Sequence, residues 1–118
     1  MEQKNHSPIL VVEDLEEIMT HMKRGLDQRG YQVILASNAR EAIQIAEQTS
    51  LSMILTDLDL PTLDLLMELV SEHRDLSELP VAVIDINGPK VNDQRIKVLP
   101  DFEALDDLVN SLPSSRRS

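Results

Sequence analysis

Short runs dominated by Ile, Leu, Val and Met alternate in this chain with segments whose apolar residues recur at helical spacing. The runs are 8–12, 31–36, 53–57 and 80–86, with a short fifth at 96–99. A run without polar alternation suits a strand covered on both faces. Leu15, Ile18, Met19, Met22 and Leu26 form the stripe of a first helix, and Gly30 is a natural stop for it. Asn38 followed by Glu41 predicts a capping box, opening a helix with Ala39, Ala42, Ile43 and Ala46 on one face and broken at 49–52. Residues 60–62 are expected as a loop and 63–73 as a leucine-rich helix. Pro100-Asp101 opens a last helix carrying Phe102, Leu105, Leu108, Val109 and Leu112, which Pro113 ends. Strand and helix thus alternate, which predicts an α/β fold with a doubly wound parallel sheet. In such folds, sites lie at the carboxyl ends of the strands.

A length of 118 residues makes one domain. Residues 1–7 are expected as a flexible N-terminus, 8–112 as the domain and 113–118 as a tail or linker start. Tyr31 and Phe102 are its only aromatics, so the core is aliphatic. A net charge of −10 argues against direct nucleic-acid or anionic-membrane binding, which needs a basic surface. With no cysteine, disulfides, thiol catalysis and zinc–thiolate sites are excluded. No run reaches membrane-spanning length and the N-terminus lacks a signal-peptide pattern, so a cytoplasmic protein is the expectation.

The chemistry sits where two runs stop. Ile9-Leu10-Val11-Val12 ends in Glu13-Asp14, and Met53-Ile54-Leu55-Thr56 ends in Asp57. If these strands are parallel neighbours, three carboxylates meet at one sheet edge, where mutual repulsion calls for a cation. That is the arrangement of a Mg²⁺ site beside a carboxylate nucleophile.

The acidic pair after the first strand, Leu55-Thr56-Asp57-Leu58-Asp59-Leu60-Pro61 and the Pro100-Asp101-Phe102 opening together resemble the receiver domain of bacterial two-component response regulators, over about 9–112. The resemblance implies a flavodoxin-like five-stranded sheet of order 2-1-3-4-5. It makes Asp57 the acceptor of a phosphoryl group from a histidine kinase. Asp14 would ligate Mg²⁺ directly, Glu13 through water, and Asp59 through its backbone carbonyl. It leaves the Leu99–Pro100 peptide open to either isomer.

Four departures from the family pattern stand out. Asp85 occupies the place of the Thr or Ser whose hydroxyl bonds the phosphoryl group. Leu99 occupies the place of the Lys that pairs with it, and Lys97 could substitute only in another register. Ile96 stands for an aromatic switch residue. Only nine residues separate Asp85 from Arg95, and they include Asn87-Gly88-Pro89, so the fourth helix is expected to be shortened or absent. A short crossover would leave Val81, Val83, Ile84 and Ile86 less covered and make 86–96 a partner or homodimer face. The reading adopted is an atypical receiver, or pseudo-receiver, acting mainly through protein–protein contact. The alternative is a working phosphorelay switch, a phosphoprotein labelled at Asp57. A remote alternative is an Asp-x-Asp phosphatase of the haloacid-dehalogenase type, but those enzymes carry the motif after the first strand and need a long chain beyond it. His6, His21 and His73 share no ligand spacing and are read as surface residues.

Overall fold

The computed structural model describes residues 7–56, 60–73, 76, 79–84 and 96–111, with side chains from 63 onward in the second stretch. Five parallel strands, β1 (Ile9–Val12), β2 (Val33–Ala36), β3 (Met53–Thr56), β4 (Val81–Ile84) and β5 (Ile96–Leu99), form one sheet of order β2-β1-β3-β4-β5. Among the described residues four helices accompany them: α1 (Glu16–Gln28), α2 (Ala39–Gln48), α3 (Leu60–Ser71) and α4 (Phe102–Asn110). The flavodoxin-like architecture implied by the resemblance is the one found. The β4–β5 crossover, residues 85–95, lies outside the described residues, and with it the expectation about its helix.

Successive strand residues point to opposite faces, and the core divides accordingly. Ile9, Val11, Met53, Leu55 and Ala82 pack under α1 and α4 with Met22, Leu26, Leu105 and Val109. Leu10, Val12, Ile54, Val81, Val83 and Ile96 pack under α2 and α3 with Ala42, Ile43, Leu63 and Leu66. All four residues of β1 and of β3 are buried, as unbroken apolar runs require. β2, at the sheet edge, is only half-buried over Val33, Ile34 and Leu35.

The helix signals read from sequence are met at several ends. Asn38 accepts the Glu41 N–H at 2.8 Å, and the Glu41 carboxylate accepts from the Ser37 N–H at 2.8 Å. That backbone hydrogen bond, with one from the Ser37 hydroxyl, holds the Glu41 carboxyl below its ordinary pKa. Asp101 likewise caps α4 through the Ala104 N–H at 2.9 Å. Gly30 ends α1 at a φ of 88°, the left-handed region that glycine enters without strain.

Three expectations are corrected. Residues 60–62 are not a loop but the first turn of α3, where Pro61 forfeits no helical hydrogen bond because the first N–H groups have no partner within the helix. Leu15 does not join the α1 stripe: it precedes the helix as the residue before its first turn and is 57% exposed. Val81 and Val83 are not left uncovered, being buried against the α2–α3 side; Ile84 is half-buried and Ile86 lies outside the described residues.

Candidate functional site

The pairing of β1 with β3 ends at Val12 opposite Thr56. Thr56 is buried, and its hydroxyl donates to the Val12 carbonyl at 2.8 Å. This bond fixes the two strand ends to one another one residue before Glu13 on the first strand and Asp57 on the third. Asp57 itself, with Asp59 and Asp85, lies outside the described residues.

Glu13 and Asp14 are adjacent but differently placed. Glu13 is only 6% exposed, and its N–H donates to the Ala36 carbonyl of β2 at 3.0 Å. Its carboxylate accepts the Leu15 N–H at 3.0 Å, so the side chain fixes the turn that leads into α1. A buried carboxylate is costly without such donors. Asp14 is exposed at the same sheet edge. Among the described residues, which do not include Asp57, no three acidic or histidine side chains gather closely enough to hold a metal. The donors that are described, two carboxylates on one held loop, have the hard oxygen chemistry that Mg²⁺ takes.

At the far strand, Ile84 pairs with Leu99 and Ala82 with Lys97. Leu99 therefore holds the carboxyl end of β5, half-buried against the α1–α4 side of the core, in the group that also contains Ile84 and Phe102. Lys97 is exposed and lies two residues, roughly 6.6 Å along the strand, further from that end. Ile96 is buried on the opposite face. The Leu99–Pro100 peptide is trans.

Sequence reading missed two polar clusters. Asp106 on α4 joins the Arg29 guanidinium, at 2.6 Å, to the Tyr31 hydroxyl, which donates to it. Burial first, then this bond, pushes the Tyr31 phenol well above its ordinary pKa. His73, just after α3, meets Glu47 of α2 at 2.6 Å. Neither cluster has a local spacing signal, since each joins residues far apart in the chain.

The family model described as the response regulator receiver domain matches residues 9–106. The chain belongs to this family. A solved receiver domain of a signal transduction histidine kinase from Syntrophus aciditrophicus is 26% identical, covers 95% of this chain and 94% of its own, and superposes with a TM-score of 0.70. The response regulator TrrA from Thermotoga maritima, solved in complex with Mg²⁺ and BeF, shares the receiver fold at 21% identity and a TM-score of 0.68, over 91% of this chain and 99% of that one. Among curated proteins, the alkaline phosphatase synthesis transcriptional regulatory protein PhoP of Bacillus subtilis is 45% identical over 48% of this chain. The transcriptional regulatory protein SrrA of Staphylococcus aureus is 29% identical over 71% of it. The matches span 23% and 34% of those two proteins, so this receiver domain corresponds to a minor part of each. Among the described residues no helix of the receiver domain is long and apolar enough to cross a membrane.

Proposed function

We propose that this receiver domain is an atypical one: a cytoplasmic pseudo-receiver that signals mainly by protein–protein contact, with a histidine kinase or another signalling protein as partner. The observation that carries the reading is Leu99. The residue at the carboxyl end of β5 pairs with Ile84 and is half-buried against the α1–α4 side of the core, and the strand's cation, Lys97, is exposed further back. Asp85, at the place of the hydroxyl residue, adds negative charge where a phosphoryl group needs a donor. A phosphoryl group on Asp57 would therefore lack the two contacts that transmit its presence to β4 and β5.

The acidic edge is a different matter. In this reading Asp14 and Asp57 bind Mg²⁺ directly, with Glu13 acting through water and the Asp59 carbonyl completing the protein donors. When bound, Mg²⁺ neutralises the carboxylates and the oxygens of an incoming phosphoryl group. The buried Glu13, whose carboxylate accepts the Leu15 N–H, holds the loop that carries Asp14. Residues 86–96 are the region in which self-association is to be sought; Val81 and Val83, being buried, contribute nothing to it.

Intact mass after incubation with Mg²⁺ and acetyl phosphate or phosphoramidate tests the reading, with Asp57→Asn as control. The expected result is little or no adduct on a folded protein. A stable adduct that the control abolishes would favour the alternative, a working phospho-accepting switch.

A further inference from the structure

The ring of His73 faces two acceptors. Its Nδ1 lies 2.8 Å from the Leu69 carbonyl oxygen of α3, and its Nε2 lies 2.6 Å from the Glu47 carboxylate of α2. Neither partner can donate when Glu47 is ionised. A neutral imidazole carries one N–H and so serves only one of them; the imidazolium carries two and serves both. The position favours positive charge for a second reason. α3 has no basic residue in its last turn, and the carbonyls there carry the negative end of the helix dipole. The Glu72 N–H also donates to Leu69, at 3.2 Å, and His73 N–H to Val70, at 3.1 Å, so the ring completes a turn that closes the helix.

We propose that His73 is a proton-operated clasp between α2 and α3: charged, it caps α3 and holds Glu47; neutral, it releases one of the two. The charged groups facing it are Glu47 from α2 and Glu72 from its own segment, and both favour the imidazolium. Arg74 and Asp75 follow it in sequence, outside the described residues. The hydrogen bond to Leu69 is the main cause that raises the ring's basicity above the ordinary histidine value, with partial burial opposing it and Glu47 adding to it. Because the folded ring holds its proton more tightly than the unfolded one, the clasp contributes fully below the unfolded pKa and is lost as pH rises through the folded one. α3 starts at Leu60, directly after Asp59, so the clasp anchors the far end of the helix that follows the acceptor segment. The inference rests on the fold and is independent of whether Asp57 accepts phosphate.

Nitrogen-detected ring titration of the full chain tests it, in the wild-type protein and in Glu47→Gln. The His73 midpoint is expected above the unperturbed value of about 6.5 and should fall in the variant. Amide exchange in the last turn of α3, corrected for its intrinsic pH dependence, should quicken as pH passes the midpoint, and this step should vanish in His73→Gln. A wild-type midpoint at or below about 6.5 overturns the proposal without any variant; a midpoint that Glu47→Gln leaves unmoved overturns it equally.

Discussion

Thr56 ties the carboxyl ends of β1 and β3 together although it carries no charge. Its hydroxyl bridges to the Val12 carbonyl in a buried setting, where an unmade hydrogen bond is expensive. Thr56→Val keeps the shape and removes the donor, so a loss of about 1 kcal/mol is expected in denaturant unfolding. A variant as stable as the parent would show that the bridge does not hold the strand ends. Asp106 plays a comparable part at the junction of α1 and α4. Tyr31 is the sole tyrosine and there is no tryptophan, so its phenolate absorbance can be followed without interference. Its ionisation is expected well above the ordinary value of about 10, falling in Asp106→Asn, which removes the carboxylate but leaves the burial. An unchanged titration would mean that Asp106 does not engage the phenol. At this scale the sequence was partly legible. Glu13, Asp14 and the caps at Asn38 and Asp101 announce themselves by local spacing. Tyr31–Asp106 and Glu47–His73 do not, because only the folded chain brings them together.

Gly25 shows how one helix accommodates another. A Cβ built there would lie 2.8 Å from two carbons of the Phe102 ring, so α1 yields its side chain to let α4 approach. Alanine in a helix interior is favoured over glycine by about 1 kcal/mol, whereas forcing an extra methyl into a packed contact costs about 1–3 kcal/mol. Gly25→Ala is therefore expected to destabilise the protein by about 1 kcal/mol and, once Phe102→Ala has cleared the ring, to stabilise it by a similar amount. The same sign in both backgrounds, in a double-mutant cycle, would contradict the packing described. The elements themselves were largely readable, because strands buried on both faces and helices with one apolar stripe leave different periods in the sequence. The ends were less so. Leu15 has the spacing of the α1 stripe but precedes the helix, where the Glu13 carboxylate holds its N–H. Pro61 suggests a loop, yet a first helical turn tolerates it equally well.

Across the whole molecule, the sheet order and the family follow from features spread along the chain, whereas the state of the switch depends on a few positions at the carboxyl ends of β3, β4 and β5. In the proposed reading two of those are substituted: Asp85 for a hydroxyl residue and Leu99 for a lysine. If only these ligands limit the chemistry, Asp85→Thr combined with Leu99→Lys should raise labelling by a small phosphodonor several-fold in intact-mass analysis. No gain would place the limit elsewhere, in the short segment between β4 and β5. Sequence alone did not place Lys97 on its strand; the pairing of Ile84 with Leu99 sets it two residues back from the carboxyl end of β5. The central claim is that the acidic edge is retained while its link to β5 and α4 is cut. Beryllium fluoride, a phosphoryl mimic, addresses that claim when added with Mg²⁺ while backbone amide shifts are recorded. The account predicts shifts at Glu13, Asp14, Leu15 and Thr56 that stop short of β5. Shifts running through Ile84 and Lys97–Leu99 into α4 would contradict it and make the domain a coupled switch.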